Sequence, residues 1–301
     1  MADHLSWLEA GVVGALQGVS ELFPVSSLGH SVLLPAVVGG DWAKNLDVSA
    51  SESPYLAFIV GTHVATAIAL IVFYWRDWLR LISGLFTSVR KRRAETADER
   101  LIWLLIIATV PVGLVGLLFE HWLRTTFGKP WPAAGFLMVN GLILIGIEHL
   151  TRRRQGAVVL PEDDVLAGVE ADRRLADQGL RRAVLIGSAQ ILALAPGISR
   201  SGIATAAGMG TGLKREDALR FSFLLATPVI LAAGVLKLPD LFGPLGNGNR
   251  PQILFGSVLA GIGAYLSVRF LTRYVHTNSL RPFGIYCLVA GAACMVLFAV
   301  R

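Results

Sequence analysis

Six stretches of this chain carry no Asp, Glu, Lys or Arg: Tyr55–Trp75, Leu101–Phe119, Pro130–Ile147, Phe221–Leu236, Pro251–Val268 and Pro282–Val300. Each is sixteen to twenty-one residues long. A helix that crosses a bilayer needs roughly 17–25 predominantly apolar residues. In hydrocarbon the backbone must also satisfy its own hydrogen bonds, which a helix does internally. Six such stretches between polar loops predict an all-α polytopic membrane protein with six spanning helices. Only 16% of the 301 residues are charged, against about 25% in a soluble domain. The alternative, a large soluble helical protein, would need amphipathic surface helices, and none is expected here.

The net charge is +6, which in a soluble protein would point to nucleic acid. The positions of the basic residues give another reason for it. Residues 76–100 hold seven, among them Arg76, Arg80 and Arg90 to Arg93; residues 151–182 hold seven more. Lys214, Arg215 and Arg220 form a third group, and Arg269, Arg273 and Arg281 a fourth. The alternate connections and the C-terminus hold only Lys44, Arg124, Lys129, Arg250 and Arg301. Basic residues accumulate in cytoplasmic loops, so the four rich groups are placed inside and both termini outside. No nucleic-acid partner is required. Met1 to Glu9 has no basic start of a cleavable signal. Cys287 and Cys294 share one face of the last span and read as small packing residues.

Two further apolar segments are interrupted. About Leu5 to Gly40 contains Gln17, Glu21, Pro24, Ser26, Ser27, Gly29 and His30 near its middle. About Ala183 to Leu213 contains Gln190, Pro196, Gly197, Ser199, Arg200, Ser201 and Gly202. Each is too long for one span and broken at its centre, so each is expected to be a re-entrant helical hairpin. The layout is hairpin, three spans, hairpin, three spans: repeat one over 1–150, a solvated cytoplasmic loop over 151–182, repeat two over 183–301. The charge map gives the halves opposite orientation, an inverted repeat whose interrupted segments meet near the midplane.

Ionisable groups in an apolar segment cost roughly 2.5–3.5 kcal/mol each on insertion scales. Glu21, His30 and Arg200 therefore need partners, and facing hairpins can supply them. Arg200 presents a planar fork of donors that matches phosphate oxygens. Ser199, Ser201 and Gly202 fall where a short helix would begin, and helix starts favour anions. Pro24 to His30 offers the same on the other hairpin. Glu21 suits a divalent metal or a proton. His30 can accept a proton or attack phosphorus, and Ser27 is the nearest hydroxyl nucleophile.

At these residues the chain resembles the undecaprenyl-pyrophosphate phosphatase family, the bacitracin-resistance BacA/UppP type. The text that carries the resemblance is Gln17-Gly-Val-Ser-Glu21-Leu-Phe-Pro-Val-Ser-Ser27-Leu-Gly-His30 and Pro196-Gly-Ile-Ser-Arg200-Ser-Gly202, with Gly212 to Pro228 as a third run. It implies hydrolysis of a prenyl diphosphate carrier lipid to its monophosphate plus inorganic phosphate, recycling the carrier for cell-wall synthesis. It implies a divalent cation such as Mg or Ca, a bacterial plasma-membrane location with bilayer lipid as neighbour, and a site open to the outer face. It leaves homodimer assembly open. It carries functional roles onto Glu21, Ser27, His30, Ser199 and Arg200. With the reading of the residues above, Glu21, Ser27, His30 and Arg200 are expected to be catalytic, Gln17, Ser26, Ser199, Ser201 and Gly202 to bind substrate, and Glu21 to hold the metal. Either Ser27 or His30 can be the nucleophile. Gln17 stands where the family often has a second acid, and Thr205 is displaced by one from the family's hydroxyl. His63 is expected to make a helix contact rather than to line the site.

Two rivals are distinguishable. A transporter or lipid flippase shares the inverted-repeat plan but needs no nucleophile. The phosphatidic-acid-phosphatase type needs an early Lys and Arg-Pro, whereas Arg281-Pro282 falls late and only His276 follows Ser199-Arg200.

Overall fold

The computed structural model describes residues 5–47, 54–152, 164–242 and 248–301. Regular structure among them is helical, with no strand. Six helices are long and apolar enough to cross a membrane: α4 (Pro54–Phe73), α6 (Ala97–Phe127), α7 (Pro130–Thr151), α11 (Arg215–Phe242), α12 (Arg250–Thr277) and α13 (Arg281–Val300). The chain is a multi-pass membrane protein. Its surface fits that solvent, since Leu117, Leu118, Val235, Leu254 and Val289 are all more than half exposed.

The first interrupted segment is α1 (Trp7–Leu22), a bend, and α2 (Ser27–Val38), followed by the short α3 (Gly40–Asn45). The second is α9 (Leu180–Ala189), a 3-10 turn over Gln190–Leu194, a bend, and α10 (Arg200–Gly210). The helix order of α1, α2, α4, α6 and α7 is thus repeated by α9 to α13, apart from insertions.

Close packing of α1 on α12 explains the glycines of the first segment. A methyl at Gly14 would lie 2.4 Å from the Gly256 carbonyl oxygen, and one at Gly18 would lie 2.3 Å from that of Ala260. Small residues let membrane helices approach to backbone contact, where packing alone supplies the attraction. The same device joins α7 to α13 at Gly141 and Gly284.

The chain departs from expectation in its basic connections. Residues 76–100 are largely a helix, α5 (Trp75–Lys91), and an amphipathic one. Trp75, Leu79, Ile82, Phe86 and Val89 recur every three or four residues and are exposed, while Leu81, Gly84 and Ser88 are buried. The connection over 151–182 contains α8 (Asp164–Ala176). Its Asp172 is fully buried and accepts from Arg80 Nη2 at 2.7 Å and Arg220 Nε at 2.8 Å. Arg174 grips Asp217 through two bonds of 2.8 and 2.7 Å. Such paired charges are what permits a buried carboxylate, and they dock α8 rather than leaving it solvated.

Candidate active site

Local sequence sets both bends. Ser26 precedes α2 and its hydroxyl accepts from the Gly29 amide at 3.2 Å. Ser199 precedes α10 and accepts from the Gly202 amide at 3.1 Å. Serine before a helix satisfies one of the amides that lack an intrahelical partner. Both helix starts therefore exist where expected, but the Gly29 and Gly202 amides are already bonded. The remaining first-turn amides give each helix its positive end.

The bends touch. The Gly197 amide donates to Ser26 Oγ at 3.1 Å, so one serine oxygen serves both segments. A methyl on Gly29 would fall 2.8 Å from Gly197 Cα. Gly197 has φ +110° and sits against the Ala133 carbonyl, conditions that only glycine meets. Asn140 of α7 spans the pair: its Nδ2 donates to the Pro24 carbonyl at 2.9 Å, and its Oδ1 accepts from the Ser199 amide at 3.0 Å.

Glu21 stands at the junction, buried, at the inner end of α1. Its Oε1 accepts from Arg200 Nη2, and its Oε2 accepts from Ser27 Oγ in a close contact. Gln17 Nε2 donates to the same Oε2 at 2.9 Å, and His63 Nε2 lies 3.3 Å away. One carboxylate thus gathers a guanidinium, a serine hydroxyl, an amide and an imidazole from three different parts of the chain.

Of the expected site residues, Gln17, Glu21, Ser27 and Arg200 come together directly. Ser26 and Ser199 lie beside them as helix caps, with Ser199 Oγ 3.0 Å from Ser201 Oγ. Ser201 Oγ also reaches the Phe23 carbonyl at 3.4 Å. Gly202 packs closely: a methyl there would lie 3.1 Å from Ser199 Cβ, 3.2 Å from Pro24 Cβ and 3.3 Å from Asn140 Oδ1. His30 lies one turn beyond Ser27 on α2, yet its ring nitrogens bond elsewhere: Nδ1 to the Ser26 carbonyl and Nε2 to Tyr286 Oη, both at 2.7 Å. Thr205 is buried, and its hydroxyl has no hydrogen-bond partner among the described residues.

Two contributors went unread in the sequence, and one was read differently. Asn140 and Tyr286 carried no motif; a lone Asn within an apolar span was the available signal. His63, expected at a helix contact, reaches Gln17 and Glu21 instead. Its place in the charge-free Tyr55–Trp75 stretch was the corresponding hint.

The geometry is that of a membrane protein with a polar junction between its two bent pairs: a helix start from each, a guanidinium paired with a carboxylate, and a hydroxyl bonded to that same carboxylate. Comparison with known sequences sharpens this class. The chain belongs to the bacitracin resistance protein BacA family, whose pattern it matches over residues 10–293. It is 61% identical over 306 residues to an undecaprenyl-diphosphatase of Mycolicibacterium paratuberculosis, with 100% of each chain covered. Undecaprenyl-diphosphatase 1 of Frankia casuarinae is 51% identical, over 99% of this chain and 100% of the relative. Undecaprenyl-diphosphatase 2 of Chromobacterium violaceum is 40% identical, over 94% and 96%.

Proposed function

We propose that this chain is a membrane diphosphatase that hydrolyses undecaprenyl diphosphate to the monophosphate and inorganic phosphate, with the bacitracin resistance associated with its family. The observation that carries the mechanism is Glu21 bonded at once to Ser27 and Arg200. A hydroxyl hydrogen-bonded to a carboxylate is the arrangement of an activated nucleophile.

In this reading Ser27 Oγ attacks the terminal phosphorus while its proton passes to Glu21. The phosphoanhydride P–O bond breaks, and the prenyl monophosphate leaves with the bridging oxygen. Water then attacks the phosphoserine; its proton is taken by His30, inorganic phosphate departs, and Ser27 recovers its proton. Arg200 and the two helix ends neutralise charge on the phosphates. A lipid substrate is supported by the apolar groove of about 830 Å³ between α4 and α12, lined by Gly61, Val64, Ala65, Ile68, Tyr265 and Leu266. Its residues flank His63 along α4.

The donor set does not fit a metal site built by the protein alone. Glu21 is the single carboxylate at the junction, and both of its oxygens are engaged. Among the described residues no cluster of three His, Cys, Asp or Glu side chains could hold an ion. A divalent cation would arrive with the diphosphate, which supplies most of its ligands, and no step above runs through it.

The bent pairs are read as re-entrant hairpins of an inverted repeat. Both termini and the mouth of the site then face outward, as the basic groups at the opposite end favour. Phosphate release from undecaprenyl diphosphate by the detergent-purified protein tests the activity. Glu21→Gln, Ser27→Ala and Arg200→Ala should each lose about 100-fold or more. Wild-type release in a folded Ser27→Ala protein would remove the nucleophile assignment.

A further inference from the structure

His30 and Tyr286 make a contact that the mechanism above leaves unexplained. His30 Nδ1 lies 2.7 Å from the Ser26 carbonyl oxygen, and Nε2 lies 2.7 Å from Tyr286 Oη. A carbonyl oxygen only accepts, so Nδ1 carries the proton. In the neutral ring Nε2 is then bare, and the Tyr286 hydroxyl donates to it. The two rings lie 6° from parallel with centroids 5.7 Å apart, so the phenol also limits rotation of the imidazole. Tyr286 projects from α13, and it meets His30 across the gap between α13 and α2.

We infer that Tyr286 is a positioning residue for His30: the Ser26 carbonyl sets the Nδ1–H tautomer, and the Tyr286 hydroxyl fixes the orientation of the ring and covers the Nε2 lone pair until the hydrolytic water displaces it. The inference rests on the reading of His30 as the base for that water. The pairing suits a proton-transfer cycle because a hydroxyl serves both ring states. It donates to bare Nε2, and it accepts from Nε2–H once the water's proton has been taken up. Ser26 anchors the other nitrogen with the same carbonyl that accepts the His30 amide at 3.1 Å. The imidazole is thus held at both ends, by the α2 cap and by α13. Tyr286 touches no phosphate in this scheme; it acts through His30.

The test uses the full chain in detergent. Tyr286→Phe keeps the ring and removes the oxygen. Turnover of undecaprenyl diphosphate is measured beside the ¹⁵N spectrum of histidine-labelled protein, with His30→Gln identifying the His30 signals among the six histidines. The wild type should show a protonated Nδ1 and a bare Nε2. Tyr286→Phe should lower kcat by about 10–100-fold with KM unchanged, the range for groups that fix the ring orientation of a metal-bound imidazole. Its His30 signals should keep the protonated Nδ1 and shift at Nε2, which has lost its hydroxyl donor. Wild-type kcat in Tyr286→Phe, beside an inactive His30→Gln, overturns the inference alone. A fall in kcat with the His30 signals unmoved overturns it as well. Full turnover in His30→Gln instead removes the prior reading of His30, a distinct and separately visible result.

Discussion

Glu21 and Arg200, 179 positions apart in the chain, close on each other as an ion pair whose side chains are 3% and 19% exposed. A pair so placed joins the two interrupted segments at the point where chemistry is expected, and it answers to stability and to turnover separately. Removing one partner leaves an uncompensated buried charge, at a cost of about 3–5 kcal/mol. Arg200→Ala should therefore lower the thermal midpoint in detergent. Glu21→Gln combined with Arg200→Gln should recover much of that stability while phosphate release stays abolished. A double variant no more stable than Arg200→Ala would show that the pair is not what holds the junction.

Asn140 should matter to both bends although it carries no charge. Asn140→Ala leaves the Ser199 amide without its partner and the Pro24 carbonyl with only the weak Cys287 thiol donor at 3.9 Å, a loss of about 1–3 kcal/mol for a buried group left unpaired. Asn140→Asp keeps the acceptor for Ser199 and loses the donor to Pro24. It also buries a carboxylate against the Pro24 carbonyl oxygen, so both variants should show reduced kcat, with Asn140→Asp the less stable. Unchanged phosphate release in Asn140→Ala would separate the bend contacts from catalysis.

Gly197→Ala is expected to be among the most damaging single-methyl changes in the chain. The new Cβ would lie 2.3 Å from the Ala133 carbonyl oxygen on a backbone at φ +110°. Yield of folded protein from membranes and its thermal midpoint read the effect. A variant as stable as the parent would mean that the bend can be rebuilt around a side chain.

Divalent cations should not stabilise the protein by themselves. Anything that binds the native state raises its melting temperature by mass action, and the described residues offer one engaged carboxylate rather than a ligand cluster. Thermal midpoints in excess Mg²⁺ or Ca²⁺ should match those in chelator until diphosphate is added. A clear upward shift from the ion alone would reveal a protein-held metal.

The spans and the bends were legible for different reasons. Charge-free runs mark spans because hydrocarbon excludes charge, whatever the tertiary fold. Ser26 and Ser199 mark helix starts because capping is local. What escaped was either periodic beneath a charge count or non-local. Arg76, Arg80 and the basic run from Arg90 to Arg93 made the α5 region read as a loop. The spacing from Trp75 through Leu79, Ile82 and Phe86 to Val89 already carried a helix. Asp172 looked like one more solvated acid, because its guanidinium partners Arg80 and Arg220 are 92 and 48 positions away. Asn140 finds Pro24 at a separation of 116, and His30 finds Tyr286 at 256. No local pattern encodes such meetings. The Glu21, Ser27 and Arg200 grouping was accessible only because two unusual segments each asked for a partner.

Ser26 sets two demands that pull against each other. Its backbone sits at φ +70°, a region that favours glycine. Its side-chain oxygen must be present to receive the amides of Gly29 and Gly197. Glycine would relax the first demand and remove one of the bonds that join the two bends. Threonine would keep the oxygen and worsen the backbone. The position is therefore a genetic bottleneck: almost any drift there is paid either in local strain or in separation of the two bends. Because one oxygen answers to both, neither half of the molecule can change its bend without the consent of the other.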